Sequence, residues 1–256
     1  MAIKDPTAAV FRRQSSSNLL VIGQDEDAAL GIMASSLVSL AAHHSPSTER
    51  QANPATRFYI VDGTPADAEQ AGYLVRLASY LPHGIKVGGW RELSQFMGEL
   101  ASEVERRQKA EVPGPELYLL VFGLQRFRDL RRDEDDFGYS QTEAPPSPAK
   151  HFAFILREGA GLGVHVLTWC DSLNNANRVF DRHALREFSM RVLFQMSAAD
   201  SSTLIDSPIA SKLGLHRAYF HGEEEGRLEK FRPYGVPPEG WLSWFRDQMR
   251  HKRLLA

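Results

Sequence analysis

The clearest pattern in this chain is a series of short apolar runs separated by longer segments with helical spacing. Residues 18–22 contain four consecutive apolar side chains, and Gly23 ends that run. From Asp25 onward, apolar residues recur at helical spacing as far as Ala41. The run predicts a buried strand, and the segment after it predicts a buried helix. Leu117–Phe122 (LYLLVF) is the most hydrophobic run, which is typical of a central parallel strand.

The rest of the chain repeats this alternation of strands and helices. Further strands are predicted at 58–61, 85–87, 164–168 and 191–196, a hairpin at 218–221 and 228–231, and helices at 64–82, 90–108, 152–159, 178–188 and 241–252, with turns and a short helix in 201–213. Strands that alternate with helices predict an α/β fold with a doubly wound, mostly parallel sheet flanked by helices. The last two strands and the last helix add a C-terminal hairpin and helix to this fold.

We expect three parts in the chain. Residues 1–17 are polar and predict a linker or edge segment, residues 18–235 form one α/β domain, and residues 236–256 form a C-terminal helix that packs on it. Residues 129–150 are highly charged and then rich in Ser and Pro, which predicts a long surface loop. The polar start is typical of a domain boundary, so we interpret the chain as one module of a longer protein.

The first strand, Gly23 and the first helix have the layout of a phosphate-binding loop. If Gly23 is the first glycine of G-x-x-x-x-G-K-[ST], the last three motif positions are Ala28, Ala29 and Leu30. The lysine that would neutralise the phosphates and the hydroxyl that would hold Mg²⁺ are therefore absent.

Three acidic residues, Asp25, Glu26 and Asp27, stand where the loop would hold a nucleotide. Carboxylates beside a phosphate repel it. At a helix N-terminus, however, acidic side chains bond free N–H groups and complement the helix dipole, each for about 0.3–1 kcal/mol. We therefore interpret these residues as an internal replacement for the phosphate.

The second half of a nucleoside triphosphatase site is a carboxylate at the end of a hydrophobic strand, which supports Mg²⁺. The LYLLVF strand instead runs into Gly123 and Leu124. Two separate elements thus lack their functional residues, which favours a non-catalytic module with no catalytic residue and no metal ligand. Residues 18–235 would then be a degenerate P-loop ATPase-like domain.

Composition narrows the function classes further. The chain has 256 residues, a net charge of −2 and one cysteine, Cys170. The near-neutral charge argues against strong non-specific binding of nucleic acid by the whole surface. A single cysteine excludes an internal disulfide and a cysteine metal site. No apolar run reaches the length of a membrane helix, and we expect a cytoplasmic protein.

Three segments resemble the FtsK/SpoIIIE family of P-loop ATPases. Residues 154–167 (FILREGAGLGVHVL) are similar to the family's Arg-x-Gly-x-x-x-Gly-[Ile/Val]-His segment, residues 188–197 (FSMRVLFQMS) to the strand that follows, and residues 199–206 (ADSSTLID) to the acidic segment after it. The family's sensor strand ends in Thr-Gln, where this chain has Thr168-Trp169-Cys170-Asp171. The resemblance covers residues 12–234 and implies a RecA-like P-loop NTPase fold.

The resemblance also implies cofactors and partners. The family uses ATP and Mg²⁺, which this chain is not expected to bind. Expected partners are neighbouring ATPase modules or subunits of the same complex and a protein substrate; DNA is less favoured. Arg182, Arg186 and Arg191 are candidates for an arginine finger or a contact with a neighbouring subunit, and a solvated or ion-paired role is the favoured alternative.

Other chemistry-bearing residues have structural interpretations. Four arginines in residues 126–132 could contact DNA phosphates, but the acidic residues 133–136 that follow cancel most of their field. His165 and Cys170 are interpreted as core residues. Trp241, Trp244 and Phe245 share an apolar side of the last helix, where they pack on the domain or dock a partner.

Two functions follow from these observations. A third, a different α/β enzyme on a Rossmann-like scaffold, ranks last, because the glycines of residues 159–163 have the wrong spacing for G-x-G-x-x-G and precede a strand. The favoured one is a non-catalytic FtsK/SpoIIIE-like module that acts as a structural, regulatory or partner-binding domain of a larger translocase or secretion ATPase. The alternative is an active ATP-dependent DNA translocase domain with an unusual site.

Overall fold

The computed structural model describes residues 6–44, 56–110, 114–132 and 146–255. Its strands are β1 (Leu19–Ile22), β2 (Thr56–Asp62), β3 (Gly84–Gly88), β4 (Leu117–Phe122), β5 (Val164–Cys170), β6 (Met190–Leu193), β7 (Ala218–Gly222) and β8 (Arg227–Phe231). Its α-helices are α1 (Glu26–His43), α2 (Tyr73–Ser79), α3 (Trp90–Gln108), α4 (Pro148–Glu158), α5 (Leu173–Ala176), α6 (Arg182–Arg186), α7 (Ala198–Ile205) and α8 (Glu239–Leu255).

All eight strands belong to one sheet, in the order β3-β2-β4-β5-β1-β6-β7-β8. The strands from β3 to β6 in this order pair in parallel, and β7 and β8 add an antiparallel hairpin. The predicted doubly wound, mostly parallel sheet with a C-terminal hairpin is therefore confirmed. β5 lies between β1 and β4, so the two strands with motif-like ends are next-nearest neighbours.

Helices cover both faces of the sheet, and β1 contributes to the core on each side. Leu20 and Ile22 join a core with α3 and α4, whereas Leu19 and Val21 join a core with α1, α2 and α8. Side chains of a strand point alternately to opposite faces, so a strand covered on both faces is apolar throughout. This is why β1, β4 and β5, which lie near the middle of the sheet, are buried along their whole length.

The predicted helix start near residue 64 is wrong. The carboxylate of Asp62 accepts hydrogen bonds from the Thr64 backbone N–H at 2.9 Å and from its hydroxyl at 2.6 Å. These bonds hold the chain in a local turn, because an aspartate side chain competes with the helical bonding pattern. The helix begins only at Tyr73, after Gly72 in a left-handed conformation.

Three other predicted boundaries also move. The predicted helix at 178–188 is only α6, because the side chain of Asp181 caps it by accepting from Ala184 N–H at 2.7 Å. The predicted strand at 191–196 runs from Met190 to Leu193. Within the predicted loop at 129–150, residues 133–145 lie outside the described residues, and α4 starts at Pro148 because Ser147 caps it.

The C-terminal helix α8 packs through a stripe of Leu242, Phe245 and Met249, which are buried. The prediction that Trp241 and Trp244 share this packed side is wrong, since they are 41 % and 54 % exposed. Spacings of three and four residues place 242, 245 and 249 on one helical stripe, and the two tryptophans flank it.

The N-terminal segment lies along the edge of the sheet where the parallel strands begin, and it reaches the hairpin. The Thr7 hydroxyl donates to Glu229 Oε2 at 2.8 Å, and Arg12 pairs with Glu225 at 3.1 Å. Arg13 donates to the Gly114 carbonyl at 2.6 Å. Residues 6–17 are thus tied to the domain at several points.

Candidate functional site

The carboxyl ends of β1, β5 and β4 lie side by side at one edge of the sheet. In open α/β sheets, ligands bind in the crevice outside the carboxyl ends of the strands. The two motif-like positions, Gly23 after β1 and Gly123-Leu124 after β4, both lie at this edge. The structure therefore brings the two sequence-predicted half-sites together.

The loop after β1 is a turn of three residues, Gly23, Gln24 and Asp25, before α1 begins. Gly23 has a φ of +126°, and a Cβ there would lie 2.7 Å from the Cβ of Phe194, so the turn requires glycine. Asp25 caps the helix, because its Oδ1 accepts from the backbone N–H of Ala28 at 3.1 Å. The predicted capping role of the acidic cluster is thus carried by Asp25.

Because α1 begins at Glu26, the last three positions of the phosphate-loop pattern are already helical. Ala28 is the third residue of α1, and Ala29 and Leu30 are buried in the core. Three backbone N–H groups of the turn and the start of α1 are bonded within the chain: Gly23 to Cys170 O at 3.0 Å, Glu26 to Gln24 O at 3.0 Å and Ala29 to Asp25 O at 2.9 Å. A phosphate loop instead points successive free N–H groups at its ligand.

The most prominent polar contact at this edge is an ion pair between Glu26 and Arg126. Arg126 Nη1 donates to Glu26 Oε1 at 2.9 Å, and Nη2 donates to Oε2 at 2.8 Å. Arg126 follows β4 and Glu26 follows β1, so the pair joins the two half-sites across the end of β5. This bidentate geometry is the strongest form of guanidinium–carboxylate contact.

Arg126 has further support besides Glu26. Its Nη1 also donates to the Gly63 carbonyl at 3.2 Å, and its guanidinium carbon lies 5.8 Å from the ring centroid of Trp169. The indole N–H of Trp90 donates to the Arg126 carbonyl at 3.3 Å. Trp169 is itself fixed, since its indole N–H donates to the Gly23 carbonyl at 3.0 Å. Both tryptophans therefore help to position this arginine.

The remaining strand ends are also bonded within the chain. Gly123 adopts a left-handed conformation, and Leu124 is fully buried, so neither position presents a side chain to the crevice. Asp171 after β5 accepts from the Ser172 hydroxyl at 2.9 Å and from the Asn175 amide at 2.8 Å. This carboxylate helps to start α5.

A cleft of about 330 Å³ lies beside the first turn of α1. Asp25, Asp27 and Ala28 line one side, and Arg232 and Tyr234 belong to the chain segment after β8 that closes the other. That segment packs directly on α1. The cleft thus carries the carboxylates of Asp25 and Asp27 together with Arg232.

The three candidate arginines for a subunit contact have different surroundings. Arg182 and Arg186 are exposed on α6. Arg191 is only 11 % exposed, and its guanidinium donates to the carbonyls of Leu185, at 3.1 Å, and Leu204. Arg191 therefore holds β6 to neighbouring parts of its own chain, whereas Arg182 and Arg186 have free access to solvent.

His165 and Cys170 are core residues. His165 is fully buried between the rings of Phe11 and Tyr118, and its Nδ1 lies 2.8 Å from the Ser17 carbonyl. Burial lowers the pKa of His165. Burial also raises the pKa of the Cys170 thiol to about 12, so the thiolate needed for nucleophilic chemistry does not form near neutral pH.

The described residues contain neither a metal-binding cluster nor a membrane-spanning helix. Within residues 6–44, 56–110, 114–132 and 146–255, no group of three or more His, Cys, Asp or Glu side chains is placed to hold a metal ion. No helix in that part of the chain has the length and apolar character needed to span a membrane.

Sequence reasoning missed the contact between Glu26 and Arg126. The sequence pattern indicates only a DNA contact for Arg126 and only a helix start for Glu26. A signal was nevertheless present in the sequence. The carboxyl ends of parallel strands lie at the same edge of a sheet, so a negative charge after β1 and a positive charge after β4 could be expected to meet. A second signal was Trp169, which stands where the resembled family has the glutamine of its Thr-Gln pair and which lies beside Arg126 in the structure.

No family model and no curated protein matches this chain. Solved structures do match it. The pCW3 conjugation coupling protein TcpA, solved with ATPγS, is 11 % identical with a TM-score of 0.62, and the match covers 92 % of this chain and 64 % of TcpA. EssC (ATPases 2 and 3) from Geobacillus thermodenitrificans is 12 % identical with a TM-score of 0.57, covering 93 % of this chain and 44 % of EssC.

A viral protein with the same fold matches over nearly its full length. The genome packaging NTPase of Sulfolobus turreted icosahedral virus 2, solved with AMPPCP, is 9 % identical with a TM-score of 0.54, covering 87 % of this chain and 99 % of the viral one. At these identities the likeness shows the fold. The resemblance to FtsK/SpoIIIE-type P-loop ATPases is thus confirmed at the level of the fold.

Proposed function

We propose that this chain is a non-catalytic P-loop ATPase-like module. It acts as a structural, regulatory or partner-binding domain of a larger cytoplasmic translocase or secretion ATPase. The fold and the positions of the two half-sites agree with an ATPase ancestry, and the chemistry at those positions does not agree with ATP binding or hydrolysis.

The observation that carries this proposal is the short turn between β1 and α1. The helix starts three residues after Gly23, and Ala29 and Leu30, at the lysine and hydroxyl positions, face the core. A triphosphate at this edge would meet the carboxylate of Glu26 instead of a lysine. The guanidinium of Arg126 is already paired with that carboxylate, so this cation is not available to neutralise a triphosphate.

The partners that fit this role are neighbouring ATPase modules or subunits, or a protein substrate of the complex. One of the matched structures contains two ATPases in a single chain. Arg182 and Arg186 on α6 are exposed and are our candidates for the contact with such a neighbour. DNA remains a less favoured partner, since Arg126 is engaged by Glu26 within the chain.

Isothermal titration of the folded chain with ATP and Mg²⁺ tests the proposal. We expect no binding at micromolar to millimolar nucleotide. Micromolar binding would overturn it, and ATP hydrolysis stimulated by DNA would establish the active translocase instead. Circular dichroism of the same sample shows that an absence of heat does not come from an unfolded chain.

A further inference from the structure

In the ion pair of Glu26 and Arg126, a guanidinium binds an anion through two parallel hydrogen bonds. We call the guanidinium of Arg126, with the contacts that hold it, the seat. Both carboxylate oxygens of Glu26 accept from the two terminal nitrogens of Arg126, at 2.9 and 2.8 Å. The planar guanidinium fork binds carboxylates and phosphates in this same bidentate way. The contact therefore specifies an oxyanion, and the oxyanion present is a side chain of the same molecule.

Arg126 is held by contacts other than the one with Glu26. The guanidinium is held by the Gly63 carbonyl and lies over the ring of Trp169, and the backbone carbonyl of Arg126 accepts from the Trp90 indole. The side chain of Arg126 is 24 % exposed, so solvent and small ions reach it. Removal of the Glu26 carboxylate would leave the arginine in place without its anion.

The surroundings favour an anion at this place. Glu26 is the first residue of α1, which has 18 residues, so its carboxylate lies near the positive end of a long helix dipole. The ion pair also joins the loop after β1, which has the layout of a phosphate-binding loop, to the loop after β4. A tetrahedral oxyanion of the size of phosphate matches the charge and the bidentate donors found there.

We infer that Glu26 is a built-in substitute for phosphate, and that it blocks a latent oxyanion site on Arg126. The inference rests on the proposed function and explains how the module dispenses with nucleotide. The carboxylate holds the loop after β4 against the start of α1 at all times, as a bound phosphate would. The ligand class of the uncovered seat is inorganic phosphate or a phosphate monoester.

The test is a gain of binding in the variant Glu26→Ala. Inorganic phosphate is titrated by calorimetry and by thermal denaturation, with chloride at matched ionic strength as the reference. We expect Glu26→Ala to bind phosphate in the millimolar range, at least about tenfold more tightly than the wild type, and to gain thermal stability on addition of phosphate.

Two further variants separate the seat from a general charge effect. Asp27→Ala removes the same charge from the same helical turn, at an exposed position that does not contact Arg126. We expect it to behave as the wild type, and the double variant Glu26→Ala/Arg126→Ala to lose the gained binding. Equal binding by Asp27→Ala or by the double variant would overturn the inference.

The phosphate titration of the variants and the ATP titration of the wild type test different claims. If the wild type binds ATP, the proposed function fails. If the wild type ignores ATP and a folded Glu26→Ala variant also ignores phosphate, only the latent site is refuted. Urea denaturation of each variant establishes that it is folded before the titration.

Discussion

Mild acid is expected to destabilise this protein through three histidines grouped at the edge where the parallel strands begin. His165 lies 5.6 Å from the ring of Tyr118, and His44 Nε2 lies 2.9 Å from the Tyr118 hydroxyl. His83 lies edge-on to Phe58 at 5.8 Å. Buried ring nitrogens of His83 and His165 have no hydrogen-bond partner, so protonation there would bury an unpaired N–H.

Burial is the main cause that lowers the pKa of all three histidines. The positive charge of Arg57 lowers the pKa of His44 and His83 further, while Glu116 opposes this for His44 and His165. The folded state thus favours the neutral rings. The unfolded chain takes up protons near pH 6.5, so the stability is complete above about pH 6.5 and falls as the pH drops below it.

The magnitude follows from proton linkage. Each histidine that is protonated only in the unfolded state lowers the free energy of unfolding by up to about 1.4 kcal/mol per pH unit. Three of them give up to about 4 kcal/mol per pH unit, a large part of a typical total stability of about 5–15 kcal/mol. His221 on β7, whose pKa burial also lowers, adds to the same loss.

Urea denaturation between about pH 7.5 and 5.5 measures this slope. Carboxylates titrate mainly below this window, at about pH 4, and Glu103 is held at a pKa of about 2 by Arg106 and Arg107, so they contribute little. The variant His165→Phe keeps an aromatic ring in place and should reduce the slope. The exposed His183→Ala is the control. An unfolding free energy that stays flat across this window would refute the reasoning.

Two further predictions concern packing. Gly31→Ala would gain about 1 kcal/mol of helix propensity, but its Cβ would lie 2.0 Å from a carbonyl of the segment after β8, so we expect a net loss of about 1–3 kcal/mol in urea denaturation. Gly161→Ala, with open space around it, should stay within about 0.5 kcal/mol. Arg107 is buried, pairs with Glu103 at 2.7 Å and donates to several backbone carbonyls. Arg107→Ala should therefore lower the free energy of unfolding by about 3–5 kcal/mol. The control Arg106→Ala, at an exposed residue that also pairs with Glu103, should lower it by less than about 1 kcal/mol. Equal losses within either pair would contradict these arguments.

The central sheet could be predicted from sequence because its strands are buried on both faces. Every residue of Leu117–Phe122 is buried, and the structure places this strand between β2 and β5. A short run of this kind is compatible with few structures other than a strand that is buried on both faces. The start of α2 could not be predicted in the same way, since the turn at Asp62 depends on a side chain that bonds the backbone locally instead of on apolar spacing.

The contact of Glu26 with Arg126 could not be predicted, since the two residues are 100 positions apart. Local patterns place each of them after a strand, but their meeting requires the order of β1, β5 and β4 in the sheet. The side on which α8 packs could not be predicted either, because it also depends on the arrangement of distant elements. Trp241 and Leu242 are both apolar, and only the direction in which the chain reaches the domain decides which one is buried.

The outer strands of the sheet, β3 and β8, determine how copies of this module can approach one another. β8 carries Lys230 and a pair of Arg227 with Glu229 at 2.7 Å, and β3 is short and carries Lys86, which pairs with Glu99 at 2.6 Å. Short, charged outer strands resist the addition of a further strand. Association in an assembly would therefore proceed through helices and loops, and crowded copies would keep their sheets separate instead of growing into continuous fibres.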